Sequence, residues 1–134
     1  MAVKLETQII RTIAMFEKIT KVHALDCIVT ENCVYFLVNP EKVGIAVGKN
    51  GSTIKDVRRV LGKPIKIFGY FDDPEMLIKN MIPVVKNVDI NNGSALISVP
   101  KEERNSVIGK NGTNIRAMRD ILNRHFAIKN IRLR

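Results

Sequence analysis

At 134 residues the chain has room for one ordinary domain or two small ones, and an apolar content of 46% supports a packed core, which excludes wholesale disorder. Its formal charge of +9 is split almost evenly: 11 Lys/Arg against 6 Asp/Glu over residues 1–71 gives +5, and 11 against 7 over residues 72–134 gives +4. Both halves are basic, which excludes a neutral domain with a basic tail and favours a polyanionic partner, nucleic acid before an anionic membrane surface.

Taken in order, residues 3–22 carry Leu5, Ile9, Ile13, Phe16 and Ile19 at the three- and four-residue steps of a helix. Lys4, Glu6, Arg11, Lys18 and Lys21 fall mainly on the other face and are mixed in sign. A run containing Glu6 and Glu17 is neither a signal peptide nor a helix with one basic membrane-facing side. No stretch of about 18 apolar residues offers a membrane span. Leu25–Thr30 and Cys33–Asn39, rich in Val, Ile, Tyr and Phe, predict two strands around a Glu31-Asn32 turn. That register sets Thr30 opposite Cys33 and Cys27 opposite Phe36, so the two cysteines do not face each other. Two reduced, half-buried thiols in a cytoplasmic protein are expected. Pro40 ends the second strand. A short helix over Lys42–Val47, a glycine turn and a helix over Ser52–Leu61 follow, with Gly62 as C-cap and Pro64 just beyond. Ile65–Phe71 is a third strand, and the order is α-β-β-α-α-β.

Asp72-Asp73-Pro74 opens the next helix, an acidic cap followed by Pro at the first helical position. The helix Glu75–Met81 stops before Pro83. Val84–Asn91 and Ser94–Val99 form a hairpin around Asn92-Gly93, the strongest hairpin signal in the chain. A helix over Lys101–Ile108, a second glycine turn, a long helix over Thr113–Phe126 and a strand over Ala127–Leu133 complete the same order. The domains are therefore set at residues 1–72 and 73–134. The short polar join at Asp72-Asp73, without Gly or Ser, predicts packed rather than loosely tethered units.

The two halves repeat in sequence as well as in pattern. Val47-Gly48-Lys49-Asn50-Gly51-Ser52 recurs 61 residues later as Ile108-Gly109-Lys110-Asn111-Gly112-Thr113. The same shift lays Ile54 on Ile115, Lys55 on Arg116, Val57 on Met118, Arg58 on Arg119 and Leu61 on Leu122. Upstream it lays Val34-Tyr35-Phe36 on Ala95-Leu96-Ile97. One G-x-x-G turn is weak evidence; two in matching surroundings define a module used twice.

Glycine is needed where the backbone takes positive φ or where a ligand's backbone comes close. The second glycine of each turn opens a helix, whose first N–H groups and partial positive charge suit a phosphate. Lys49 and Lys110 lie inside the turns. Lys55 and Arg116 stand in the first helical turn, where a cation is unfavourable unless an anion joins it. Ser52 and Thr113 are expected to cap the two helices. The turn is not a P-loop: Gly44-Ile45-Ala46-Val47-Gly48-Lys49-Asn50 is one residue short between its glycines, ends in Asn instead of Ser or Thr, and follows a helix. His23 and His125 sit in unrelated contexts, and no nucleophile triad or metal-ligand spacing is present, so no enzyme, no cofactor, no metal and no small-molecule substrate are expected.

A G-x-x-G turn between two helices beside a three-stranded sheet resembles the KH RNA-binding module, and the order α-β-β-α-α-β resembles its type II form. Two in tandem, after a helix containing Phe16-Glu17-Lys18-Ile19 and with the aspartate-rich join and the Arg124-His125-Phe126 helix end, resemble the archaeal NusA-like transcription factors. The resemblance implies a mixed α/β (α+β) fold of two tandem type II KH domains, each with a three-stranded sheet packed on helices. It implies a single-stranded RNA partner whose backbone lies across Gly48–Gly51 and Gly109–Gly112, with Lys49, Asn50, Lys110 and Asn111 facing phosphate and Lys55 and Arg116 beside them. Bases would enter grooves lined by Val47, Ile54 and Ile65 in the first module and by Ile108, Ile115 and Ile128 in the second, with Arg58 and Arg119 on the helix faces. It also implies transcription termination, antitermination or elongation. RNA polymerase is the second partner that role implies, although the polymerase-binding and OB-fold domains of bacterial NusA are not among these 134 residues. The chain is expected to act as a monomer. The competing reading is a ribosome-associated or structural RNA-binding KH protein, which would be expected to carry basic tails.

Overall fold

A computed structural model describes the backbone of residues 2–134 and the side chains from Thr7 onward, so the predicted helix positions Lys4, Leu5 and Glu6 lie outside the described side chains. The chain forms two compact units that divide between Tyr70 and Phe71.

The first unit contains α1 (Ala2–Thr20), β1 (Ala24–Val29), β2 (Val34–Val38), α2 (Val43–Val47), α3 (Ser52–Leu61) and β3 (Ile65–Gly69). Its sheet has the order β1-β2-β3, with β2 antiparallel to β1 and parallel to β3. The core forms where α1 meets this sheet. Phe16 and Phe36, both fully buried, stack with ring centroids 3.9 Å apart. Val34, Val38, Ala46 and Val57 complete that core, and Ile9, Ile13 and Ile19 pack on it from successive turns of α1. Helix α1 ends two residues earlier than its pattern predicts. The Thr20 hydroxyl donates to the Phe16 carbonyl at 2.8 Å and accepts the Val22 N–H at 3.1 Å. Lys21 then turns into positive φ, and Glu17 accepts the Ala24 N–H at 2.8 Å. The predicted hairpin register is present: Cys27 pairs with Phe36, and the Thr30 N–H reaches the Cys33 carbonyl at 2.9 Å. Both thiols are free, but they are buried rather than half-buried: Cys27, on β1, belongs to the core cluster, and Cys33 stands just before the fully buried β2. Burial pushes the Cys33 thiol pKa up against the opposing pull of Lys66.

The second unit contains α4 (Pro74–Met81), β4 (Asn87–Asn91), β5 (Ser94–Ser98), α5 (Arg104–Ile108), α6 (Thr113–Phe126) and β6 (Asn130–Leu133), with sheet order β4-β5-β6 and the same pairing senses. Asp73 caps α4 by accepting the Glu75 N–H at 3.0 Å, and Pro74 stands at the first helical position, as read from the sequence. Asn92 and Gly93 both take positive φ, as a two-residue hairpin turn demands. Strand β4 begins at Asn87 and not at Val84, because the Val85 N–H turns back to the Ile82 carbonyl. Strand β6 begins at Asn130 and not at Ala127. Ala127 is left-handed at φ 56°, and the chain leaves α6 through a cap in which the Ile128 N–H reaches the Leu122 carbonyl. Leu77, Ile97, Ile121 and Leu122 are the largest apolar side chains fully buried in this unit besides Ile78. Among the described residues, no helix is long and apolar enough to cross a membrane.

Candidate nucleic-acid interface

Each glycine turn, Lys49–Gly51 or Lys110–Gly112, is a tight non-helical turn closed by i to i+3 backbone bonds and set between a five-residue helix and a longer one. The two backbones coincide. Gly48 has φ 81°, ψ 168° and Gly109 has 79°, 171°. Asn50 and Asn111 are left-handed at φ 57° and 56°, and Gly51 and Gly112 follow at 73° and 74°. The first glycine is needed twice over. Its φ/ψ pair lies in a region that only glycine enters easily. A Cβ at Gly48 would stand 2.3 Å from the Thr53 Oγ1 and 2.7 Å from the Thr53 nitrogen; one at Gly109 would stand 2.8–2.9 Å from Asn114. The first glycine therefore lets the turn press against the next helix, and asparagine is the side-chain-bearing residue that most readily accepts the left-handed position between the glycines.

Two sequence expectations change here. Ser52 and Thr113 do not cap α3 and α6: the caps are Gly51 and Gly112, without a side-chain hydrogen bond. The Thr113 hydroxyl instead donates backwards to the Lys110 carbonyl. Nor are all the leading amides open. The Gly51 N–H bonds the Gly48 carbonyl at 3.1 Å, the Gly112 N–H does the same with Gly109, and the Ser52 and Thr113 amides bond the Lys49 and Lys110 carbonyls. The turn's own i to i+3 bonds use donors that an abrupt helix start would have left pointing outward.

The side chains of Lys49, Asn50, Lys110 and Asn111 are exposed, as are those of Lys55 and Arg116, and neither α3 nor α6 has an acidic residue in its first turn. The modules differ in where the following cation goes. The Arg116 guanidinium folds back onto its turn, with Nη1 3.3 Å from where a Cβ on Gly112 would stand. Lys55 instead lines a groove of about 260 Å³ with Ile54, Arg58, Pro64 and Ile65. The structure thus brings Ile54 and Ile65 together with Lys55 and Arg58; Val47, half-buried, is not among that groove's lining residues. Pro64, read from sequence only as a helix stop, is part of the wall.

Strand register decides the matching position in the second module. Val34 pairs with Ile65, and its repeat partner Ala95 pairs with Ile131. Ile131, half-buried, therefore stands where Ile65 stands, whereas Ile128 is buried at 3% exposure behind the end of α6. The 61-residue shift becomes 66 here (131 − 65), four of the five added residues lying in α6, which has 14 residues against 10 in α3. Ile108 and Ile115 are half-buried, and Arg119 is exposed, like Arg58. In a parallel ladder alternate residues bond the neighbouring strand. The Pro64 carbonyl accepts from Val34 and the Tyr70 N–H donates to Val38, so the backbone of Ile65 and Ile67 turns to the free edge of the sheet. That edge closes at Gly69, where Pro40 lies 3.0 Å from a hypothetical Cβ.

Residues 10–70 match the family model of the KH domain, and residues 74–134 match that of the NusA-like second KH domain. The chain is thus a tandem KH protein, a class that binds RNA. The protein of Methanocaldococcus jannaschii named probable transcription termination protein NusA is 33% identical over 137 residues, covering 98% of this chain and 75% of that one. The Halococcus morrhuae protein of the same name is 31% identical over 138 residues, covering 99% of both. The crystal structure of APE1850 matches with a TM-score of 0.76 at 37% identity, over 93% of this chain and 96% of that one. The chain belongs to the archaeal NusA-like family.

Proposed function

We propose that the two modules, taken as residues 1–72 and 73–134, hold the backbone of single-stranded RNA at their G-x-x-G turns and admit bases to the grooves beside them. The observation that carries this is the duplicated turn. Two segments 61 residues apart keep the same backbone angles within 3° at every glycine and asparagine, and both keep a lysine inside the turn. A purely structural connection between helices needs the glycines but not the cations, which lie at helix starts whose first turns hold no acidic residue, although Asp56 follows Lys55 on α3. Phosphate supplies the missing charge.

In this reading Gly48, Lys49, Asn50, Gly51 and Lys55 form one phosphate site, and Gly109, Lys110, Asn111, Gly112 and Arg116 the other. The grooves are walled by Val47, Ile54 and Ile65, and by Ile108, Ile115 and Ile131. The names of the relatives support a role in transcription termination; the proposal extends it to antitermination or elongation, exercised by a cytoplasmic monomer with RNA polymerase as second partner and without catalysis. The test is amide NMR of the full chain titrated with short single-stranded RNA. The expected result is shifts concentrated at residues 48–55 and 109–116 and along Ile65–Ile67 and Ile131–Leu133. Shifts confined to other surfaces, or none, would overturn the proposal.

A further inference from the structure

We propose that a second groove of the first unit, between α1 and α3, docks an acidic amphipathic helix of another protein. None of its lining residues belongs to the glycine turn or to the groove at Ile54 and Ile65. It encloses about 570 Å³, more than twice the volume of that other groove. Met15 from α1 and Val60 and Leu61 from α3 supply its apolar side chains. The Thr12 hydroxyl, also on the lining, is already used, donating to the Gln8 carbonyl at 2.8 Å. The internal repeat gives these positions a reference. The 61-residue shift lays Val60 on Ile121 and Leu61 on Leu122. Ile121 and Leu122 are fully buried, whereas Val60 is 50% exposed and Leu61 half-buried. Equivalent apolar positions are covered in one module and open in the other. One exposed apolar side chain on a surface is ordinary; three gathered around one concavity suit an apolar ligand surface.

Charge decides the occupant. Arg11 lines the groove, and Lys18, seven residues further, stands two turns along the same face of α1. Among the described residues no ion pair or hydrogen bond engages the side chain of Arg11 or Lys18. The neighbouring carboxylates are already taken. Glu17 accepts the Ala24 N–H and contacts His23, each at 2.8 Å, and Asp56 holds Arg59 at 2.8 Å. No acidic side chain lines the groove itself. A partner that brings carboxylates therefore finds unmatched cations beside an apolar surface. A second copy of this chain would bring its own +9, which works against self-association through this face. A groove between two helices offers no strand edge, so the fitting shape is a helix that lays apolar side chains at i, i+4 and i+7 into it. RNA fits less well, since no aromatic ring lines the groove to stack a base.

The test uses the full chain and fluorescein-labelled helical peptides of about four turns. The first carries leucines at i, i+4 and i+7 and glutamates on either side of them. The second has lysine for every glutamate, and the third keeps the glutamates but has serine for every leucine. The first should bind at least about tenfold more tightly than the second. The third should not bind, which separates docking from general attraction to a basic surface. Amide NMR should place the shifts at Arg11, Thr12, Met15, Val60 and Leu61. Val60→Gln, checked for folding by thermal unfolding, should weaken the first peptide about tenfold. It should leave binding of short single-stranded RNA within about twofold, since the two sites share no residue. Arg11→Glu should reduce the preference for glutamate over lysine to less than about twofold. Failure of the first peptide to bind, equal binding of the third, shifts at other surfaces, or indifference to Val60→Gln would overturn the proposal. RNA-induced shifts at Met15 and Val60 would assign the groove to RNA and overturn it as well. None of these outcomes bears on the glycine turns, whose own test stands apart.

Discussion

Gly48 and Gly44 are four residues apart in sequence and opposite in what they tolerate. A methyl group at Gly48 meets Thr53 at 2.3–2.8 Å in a backbone region closed to other residues, while one at Gly44 meets nothing within 4 Å. Gly48→Ala should therefore destabilise the first unit by about 1–3 kcal/mol, and Gly44→Ala should be neutral or stabilising by up to about 1 kcal/mol, both measured by urea unfolding. Gly109→Ala should behave as Gly48→Ala does. A second residue-scale prediction concerns Tyr35, whose hydroxyl pKa burial pushes up to about 12, helped by the neighbouring Cys33. In the unfolded chain tyrosine releases its proton near pH ~10. The folded state then holds a proton that the unfolded state has lost, so this group's contribution to stability is complete below about pH 10 and falls between about pH 10 and 12, by up to about 1.4 kcal/mol per pH unit. Tyr35→Phe should flatten that part of the stability–pH curve; an unchanged slope would count against it. The sequence marks Tyr35 as a strand residue but not as a buried one, since burial on both faces of β2 comes from tertiary packing.

The elements themselves were largely legible, and the reasons are local. Helices α3 and α6 run over the spans read from sequence, Ser52–Leu61 and Thr113–Phe126, because glycine turns fix both starts and periodic apolar residues fill one side. The Asp73-Pro74 start of α4 was equally plain. Asp73→Ala should cost about 1 kcal/mol, read as a shift in the unfolding midpoint of the second unit. The strand ends and the caps of α3 and α6 were not legible, because they depend on where backbone hydrogen bonds go and not on side-chain pattern. β4 starts late through the Val85 turn, and β6 starts late because α6 leaves through left-handed Ala127. That last feature also hid Ile131. A fixed sequence shift carries the repeat as far as α6, and only the strand register carries it further. Packing of α1 on the sheet can be tested at Phe16, which stacks on Phe36 with no exposure. Phe16→Ala should cost about 3–5 kcal/mol, and a loss below about 1 kcal/mol in denaturant unfolding would contradict the placement of the core.

At the scale of the whole molecule, charge is divided evenly between the halves, and in the proposed function the matching turns would give one RNA strand two footholds. Linked modules gain affinity through effective concentration. Disabling either turn alone should therefore weaken RNA binding about 10²-fold, more than a chain relying on one module could show at both sites. With four turn cations engaged (Lys49, Lys55, Lys110 and Arg116), log affinity should fall against log salt with a slope of about −3. The measurement that bears most directly on the account is titration of short random single-stranded RNA with the wild type and with a variant carrying Lys49→Asp, Asn50→Asp, Lys110→Asp and Asn111→Asp. Aspartate accepts the left-handed backbone of positions 50 and 111 nearly as well as asparagine, so the variant should fold, and circular dichroism checks that it does. The wild type should bind and the folded variant should not. A folded variant that binds as tightly as the wild type would contradict it, and the turns would then be connections between helices and nothing more.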